Sequence, residues 1–153
     1  MDEEIKIIRT IRIESWEGFE KLLRVLLEEI YGSAERGMKI YEEKYGAITY
    51  YKNYRVKKNS YLLLAEIDGE IVGFLYGRKF RNYSYLYDIA VLPEHRGKGV
   101  GRKLVEEFVS LVGPPIYADV QENAVEFFKK LNFRILSSYE EDGVIWYEMV
   151  RED

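Results

Sequence analysis

The sequence predicts a mixed α/β fold in which helices cover both faces of a mostly antiparallel sheet. Apolar, β-prone runs alternate with stretches whose apolar residues recur at helical spacing, in the order β-α-α-β-β-β-α-β-α-β-β. Two Asp-Gly pairs, at residues 68–69 and 142–143, separate neighbouring β-prone runs and are typical of tight hairpin turns. Consecutive strands joined in this way are antiparallel neighbours.

The N-terminal third is predicted as a strand followed by two helices. Residues 5–13 alternate apolar and charged side chains, which is typical of a strand. Residues 15–32 run from a serine cap to a glycine stop, with apolar residues on one face. Residues 33–45 are predicted as a second helix, with a weaker helical pattern of apolar residues. Residues 47–59 are aromatic and basic without a clear period, and they are predicted as a loop with room for a short strand segment.

The remaining elements are predicted with sharper boundaries. Strands at 61–67 and 71–80 are joined by the first Asp-Gly turn, and the strand at 85–92 is the next antiparallel neighbour. No repeat or linker divides the chain, so one domain over residues 1–153 is expected. The other predicted elements are a helix at 101–112, a strand at 116–120, a helix at 123–131 and a closing hairpin of 133–139 and 144–150.

Composition excludes several classes of function. The absence of cysteine excludes disulfides, thiolate metal sites and a cysteine nucleophile, and a single histidine argues against a histidine-rich metal site. The net charge of -4 argues against nucleic acid as the main partner. No apolar run approaches the roughly 18 residues of a membrane span, and the N-terminus lacks a signal-peptide pattern. A cytoplasmic location is expected.

The stretch of residues 85–105 (YLYDIAVLPEHRGKGVGRKLV) carries the strongest functional signal. An apolar strand stops at Pro93, and a glycine-rich loop then opens a helix. Backbone N–H groups in such a loop point outward at the positive end of the helix dipole, which favours a phosphate-bearing ligand. The spacing fits neither a Walker-type loop nor a dinucleotide fingerprint. The glycines and the basic residues between them are Arg96, Gly97, Lys98, Gly99, Gly101 and Arg102.

Residues 96–101 (RGKGVG) resemble the acyl-CoA signature R/Q-x-x-G-x-G/A of the GNAT family of N-acetyltransferases. The apolar strand with Val91 and Pro93, and residues 123–133 (NAVEFFKKLNF), match two further parts of the family pattern. The resemblance implies a sheet splayed between its fourth and fifth strands, with acetyl-CoA as acyl donor and no metal. The cofactor-binding residues that it implies are Ile89, Ala90 and Val91 for the pantetheine arm, Arg96, Gly97, Lys98, Gly99, Val100, Gly101 and Arg102 for the pyrophosphate, and Gln121, Asn123 and Phe128.

Acetyl transfer requires a neutral amine, and a lysine-like amine with a pKa of about 10.4 is mostly protonated at pH 7. A carboxylate near the thioester would assist. Asp88 is the first candidate, although strand alternation puts it on the opposite face from Tyr87 unless a bulge intervenes. Asp119 is the second, because its place resembles that of a catalytic carboxylate in some ribosomal-protein acetyltransferases of the family. Phe128 stands where many members carry a tyrosine that protonates the thiolate, and the tyrosines offered as substitutes are Tyr117, Tyr87 and Tyr85.

The sequence therefore predicts an acetyl-CoA-dependent N-acetyltransferase that moves an acetyl group to a primary amine by direct attack on the thioester. The acceptor is a small amine or polyamine, a lysine or a peptide N-terminus. Neither a nucleic acid nor a membrane is expected as partner, and a homodimer is one possible assembly. Two alternatives stay open, namely a non-catalytic acyl-CoA-binding or sensor module of the same fold and a nucleotide-binding protein. Glutamates on the first two helices would suit a cationic acceptor, with ordinary surface charge as the competing interpretation.

Overall fold

A computed structural model describes residues 4–153, which form a seven-stranded sheet with helices on both faces. The order across the sheet is β1-β2-β3-β4-β5-β7-β6. The strands are β1 (Lys6–Arg9), β2 (Ser60–Ile67), β3 (Glu70–Lys79), β4 (Ser84–Val91), β5 (Ile116–Gln121), β6 (Arg134–Glu141) and β7 (Val144–Arg151). The helices are α1 (Trp16–Tyr31), α2 (Ala34–Tyr45), α3 (Ala47–Lys52), α4 (Val100–Val112) and α5 (Val125–Lys129).

Strands β4 and β5 are parallel and diverge along their length. They pair at three positions, from Ser84 opposite Ile116 to Leu86 opposite Ala118, and beyond these the ladder ends. Every other neighbouring pair in the sheet is antiparallel. The predicted fold class, including the splay between the fourth and fifth strands, is confirmed.

The two faces of β3 show how the helices are held. Phe74 packs against Phe19 of α1, with ring centroids 4.6 Å apart. On the opposite face Gly73 and Gly77 let α4 approach closely, and a Cβ at Gly77 would lie 2.4 Å from Phe108 Cζ. Helices α1 and α4 therefore clamp the sheet from opposite sides.

The predicted loop at 47–59 is wrong in its first part, because residues 47–52 form α3. Gly46 adopts a left-handed conformation that ends α2, and its carbonyl accepts the N–H of Tyr50 to start the next helix. Tyr51 then packs its ring 4.9 Å from that of Phe19. Long-range aromatic packing thus fixes a helix that local periodicity does not signal.

Other boundaries differ by smaller amounts. Strand β1 covers four residues of the predicted 5–13, because the chain bends away after Thr10 and leaves Ile11 65% exposed. The predicted helix 123–131 is divided into a 3₁₀ turn at Glu122–Ala124 and the short α5. Asn132 follows with a positive φ of 68°, as expected for an asparagine in place of a helix-ending glycine. Within residues 4–153 no helix is long and apolar enough to cross a membrane.

Candidate active site

A bulge in β4 decides which side chains reach the site. Asp88 lies opposite Tyr76 of β3, while Leu86 lies opposite the next residue, Gly77. Tyr87 is therefore the extra residue of a β-bulge, which reverses the alternation beyond it. As a result Asp88 shares a face of the sheet with Tyr85, which is the exchange of faces that the sequence left open.

The divergence of β4 and β5 opens a cleft of about 790 Å³, here called the interstrand cleft. Its floor is the segment of β4 beyond the bulge, and its mouth is the glycine-rich loop before α4. The side chain of Lys98 is not part of the lining; its Nζ lies 3.1 Å from His95 Nδ1. The predicted cofactor residues that line the cleft are Ile89, Ala90, Val91, Arg96, Gly97, Gly99, Val100, Gly101, Arg102, Gln121, Asn123 and Phe128.

The mouth of the cleft is a ready site for an anion. Gly97 and Gly99 have φ values of 79° and 87°, which side-chain-bearing residues rarely adopt. Among residues 4–153, no side chain accepts a capping hydrogen bond from the first turn of α4. The N–H groups at the start of a helix lack intrahelical acceptors. The loop and the helix therefore present several unpaired donors to the same opening.

The side chain of Arg96 lies elsewhere than over these donors. Its guanidinium donates from Nε and Nη2 to the carbonyl oxygen of Val91, at 3.3 and 3.2 Å, and forms an ion pair with Glu29 of α1. Its backbone N–H donates to Pro93. Arg96 thus joins the end of β4 to α1.

The backbone of β4 beyond the bulge offers hydrogen bonds to the cleft. The N–H of Leu92 donates to Val72 of β3 at 2.9 Å. Because backbone groups alternate in direction along a strand, those of Ile89 and Val91 point away from β3, toward the gap. The ladder to β5 has already ended at Leu86, so these groups face the interstrand cleft.

A second space of about 420 Å³, here called the tyrosine cavity, adjoins the cleft under α2 and α3. Both spaces are lined by Tyr41, Tyr87, Asp88, Asp119 and Trp146, so they meet at these residues. The further residues that line the tyrosine cavity are Tyr31, Tyr45, Ala47, Tyr50, Tyr51, Tyr76, Arg78, Tyr139 and Glu141.

Asp88 is buried and held by two phenols. Its carboxylate accepts hydrogen bonds from Tyr41 of α2 at 2.9 Å and from Tyr51 of α3 at 2.5 Å. Burial raises the pKa of Asp88, and the two hydrogen bonds oppose that rise. The pKa values of Tyr41 and Tyr51 are raised well above the ordinary value, first by burial and then by the charge of Asp88. The carboxylate therefore fastens both helices to β4.

Asp119 is less enclosed than Asp88. It accepts a hydrogen bond from Tyr85 at 3.0 Å and interacts with the hydroxyl of Tyr139 on β6. Burial raises the pKa of Asp119, and these two hydroxyls lower it. Burial and the nearby Asp119 carboxylate together raise the pKa of Tyr139 to about 12. Asp119 is thus a carboxylate with increased basicity at the junction of the two spaces.

The proposed substitutes for the missing family tyrosine lie in different places. Tyr87 lines both spaces, and Tyr85 is engaged by Asp119. Tyr117 stacks on Tyr85 at 6.2 Å and, among the described residues, belongs to the lining of neither space. Phe128 is 3% exposed and packs edge-on against Phe133, with no hydroxyl to offer.

Several lining residues carry no local signal in the sequence. Tyr139 and Glu141 enter the cavity because β7 inserts between β5 and β6, which places the closing hairpin beside Asp119. Strand pairing within the hairpin predicts that Tyr139 lies opposite Trp146, as it does in the structure. It does not predict that either residue lies near Asp119. Arg78 comes from β3 by the same kind of long-range placement. The glutamates proposed for the acceptor site, by contrast, lie outside the tyrosine cavity.

Comparisons with known proteins identify the family of the chain. The sequence model described as the acetyltransferase (GNAT) family matches residues 20–133. The chain belongs to the GNAT family of acetyltransferases. Two relatives, each named as an uncharacterized N-acetyltransferase, support the same assignment. The one from Archaeoglobus fulgidus is 33% identical over 106 residues, covering 63% of this chain and 69% of the relative. The one from Shouchella clausii is 30% identical over 131 residues, covering 76% of each.

The GNAT fold extends over nearly the whole chain. The PaiA N-acetyltransferase from Thermoplasma acidophilum, whose structure was solved in complex with coenzyme A, superposes with a TM-score of 0.75. The two share 20% identity, over 98% of this chain and 99% of that one. This GNAT protein is an N-acetyltransferase, with acetyl-CoA as donor. Residues 4–153 contain no group of three or more side chains suited to a metal ion.

Proposed function

We propose that the interstrand cleft binds acetyl-CoA and that the tyrosine cavity receives a primary amine, which is acetylated by direct attack on the thioester. The main support for this proposal is that the interstrand cleft and the tyrosine cavity meet at Asp88 and Asp119. A donor lying along the cleft and an acceptor in the cavity would therefore approach each other beside two carboxylates. Such positioning is itself a large part of catalysis of transfer between two substrates.

The glycine-rich mouth suits the pyrophosphate of the donor. The N–H groups of Gly97, Gly99, Val100 and Gly101 are the main-chain donors, and positions Gly97 and Gly99 have open space where a Cβ would stand. Hydrogen bonds to charged groups contribute roughly 1.5–3 kcal/mol each. Three or four of them approach the roughly 8 kcal/mol of a micromolar complex.

The β4 backbone suits the pantetheine arm. The outward groups of Ile89 and Val91 would pair with it as with an added strand. To free the Val91 carbonyl, the Arg96 guanidinium must turn away from the position it holds against β4. Gln121 and Asn123 line the opposite wall and are the polar side chains that complete this subsite. One unpaired N–H of β4 can polarise the thioester carbonyl as charge develops on its oxygen.

Asp119 is the residue proposed to take the acceptor's proton. The amine nitrogen bonds to the thioester carbon, the C–S bond breaks, coenzyme A leaves as the thiolate, and the nitrogen's proton passes to Asp119 or to water beside it. Asp88 is less suited to this step because it is buried and each of its oxygens accepts a phenol hydrogen bond, whereas Asp119 is only half-buried. Asp88 is proposed instead as a positioning residue for α2 and α3.

The lack of a hydroxyl at Phe128 favours a second candidate, a non-catalytic acyl-CoA-binding module. A thiol with a pKa of about 8.5 leaves without a general acid, so transfer without one is slower but feasible. The test is release of free coenzyme A from acetyl-CoA with a panel of amines. Amine-dependent release that falls in Asp119→Asn supports the transferase. Binding of acetyl-CoA by calorimetry, with no release for any amine, supports the module.

A further inference from the structure

Arg78 projects from β3 into the lining of the tyrosine cavity without a polar partner. Its Nε is buried and has no hydrogen bond. Among residues 4–153 its guanidinium forms neither an ion pair nor a hydrogen bond. The guanidinium carbon Cζ of Arg78 lies 5.7 Å from the ring centroid of Phe80. Leaving a buried donor unpaired costs about 1–3 kcal/mol, more for a charged group, so its presence calls for a partner.

Arg78 and Asp119 lie on the same face of the sheet, across Tyr85. Arg78 is opposite Tyr85 in the β3–β4 ladder, and Tyr85 is opposite Tyr117, two residues before Asp119. Two strand steps of about 4.8 Å and two residues of about 3.3 Å separate the Cα atoms of Arg78 and Asp119 by about 12 Å. Side chains shorten this gap, leaving room between the charges for one small molecule.

The cavity's other charged groups are already engaged. Asp88 accepts two phenol hydrogen bonds, and Glu141 forms an ion pair with Lys44 of α2. A ligand would therefore meet one cation with unused donors, Arg78, and one half-buried carboxylate, Asp119, which interacts with the hydroxyls of Tyr85 and Tyr139 but is more accessible than Asp88. The charge of Arg78 also reaches Tyr87, where it opposes the rise in pKa caused by burial. A dication would meet repulsion at one end of this cavity.

We propose that the acceptor is an amino-acid-like molecule, in which Arg78 binds the carboxylate while the amine lies at Asp119. This inference rests on the proposed function of the tyrosine cavity as the acceptor site. The planar guanidinium presents paired donors that match a carboxylate, and burial among tyrosines strengthens the pair. Arg78 is then a specificity-determining residue that selects zwitterionic amines over polyamines.

The test compares acceptors that differ in the carboxylate alone. Amino acids with amine and carboxylate separated by one to five carbons are each paired with the matching carboxamide, and diamines complete the panel. For wild type we expect kcat/KM at least tenfold higher for the best carboxylate than for its carboxamide. In Arg78→Met that ratio falls to near one, mainly through a rise in KM for the carboxylate. Arg78→Lys keeps the positive charge but lacks the paired guanidinium donors, so its ratio should lie between those of Arg78→Met and wild type.

Lys79→Met is the matched control, since it removes the adjacent, exposed cation. The Lys79→Met variant should keep the wild-type ratio of kcat/KM between carboxylate and carboxamide. Thermal melting and acetyl-CoA affinity verify that all variants are folded. A wild-type preference for carboxamides or diamines, or an unchanged ratio in Arg78→Met, overturns the proposal. If no amine is acetylated although acetyl-CoA binds, the proposed transfer itself fails. Calorimetry then measures whether the same amino acids bind to the complex of the protein with acetyl-CoA. Binding to wild type that is lost in Arg78→Met supports the site. The absence of binding to wild type overturns the proposal.

Discussion

Tyr51→Phe tests whether the buried carboxylate of Asp88 holds helices α2 and α3 in place. The substitution removes one hydroxyl from a side chain that is 2% exposed and leaves the ring packing on Phe19 and Phe74 unchanged in shape. It takes away the 2.5 Å hydrogen bond to Asp88 and leaves Tyr41 as the remaining phenol donor. The effect is therefore that of one charge-assisted hydrogen bond with almost no cavity.

Such a bond contributes about 1.5–3 kcal/mol. In a domain of this size each kcal/mol shifts the melting temperature by about 2–4 °C, so Tyr51→Phe should lower it by about 3–12 °C. The loss also raises the pKa of Asp88 further above the ordinary value of 3.8. A carboxyl group with a raised folded pKa contributes stability below its unfolded pKa and loses it as the pH rises. The destabilisation should consequently be smaller at pH 4 than at pH 8.

Tyr45→Phe is the matched control, because Tyr45 is 61% exposed and its hydroxyl forms no hydrogen bond with any residue in the range 4–153. Melting by circular dichroism and urea titration at several pH values provides the comparison. The reasoning is refuted if Tyr51→Phe costs no more than Tyr45→Phe at pH 8, or if its cost is the same at pH 4. In a double-mutant cycle with Asp88→Asn, the two substitutions should couple by more than 1 kcal/mol, on the scale of contacting pairs.

Three further outcomes are expected. Asp119→Asn should lower kcat by about 10²-fold or more while acetyl-CoA affinity, measured by calorimetry, stays within twofold of wild type. Gly99→Glu should weaken acetyl-CoA binding at least tenfold by placing a negative charge among the unpaired N–H groups. Gly99→Asn shares the left-handed strain without the charge, so equal losses in the two would contradict the electrostatic reason. Gly77→Ala should destabilise the fold by about 1–3 kcal/mol in urea titration, because its Cβ would meet Phe108 and the Tyr85 carbonyl at 2.4 and 2.8 Å.

Most of the interstrand cleft can be predicted from the sequence because its floor and mouth come from one continuous stretch. The end of β4, the glycine-rich loop and the start of α4 follow one another in residues 84–112, so local patterns specify their geometry. Glycines at 97 and 99 report the positive φ values that the loop adopts. Local patterns do not predict the direction of the Arg96 side chain, because its ion-pair partner Glu29 lies far away in the sequence.

The tyrosine cavity is assembled by long-range contacts and cannot be predicted from local sequence patterns. The fourteen tyrosines of the chain look alike in the sequence, and packing alone decides which of them form a cavity. The short helix α3 shows the same limit, because its register is set by contacts of Tyr51 with α1 and β3. The position of Asp88 at the centre of β4 makes it a candidate from the sequence, but its phenol partners come from α2 and α3, far away in the chain.

The walls of the tyrosine cavity differ in how firmly they are held. Asp88 fastens α2 and α3 to β4 through buried hydrogen bonds, whereas the hairpin wall is joined to α2 by ion pairs from Lys44 to Glu141 and Asp142. Such partly exposed pairs contribute about 0–1 kcal/mol each. Strand β6 is also the last strand of the sheet and is exposed along nearly its whole length. Strand β7 is held to β5 by a six-position antiparallel ladder, so the least firmly held part of this wall is the edge strand β6 with the turn that follows it. Because β6 carries Tyr139, its position also sets the hydrogen bonding of Asp119.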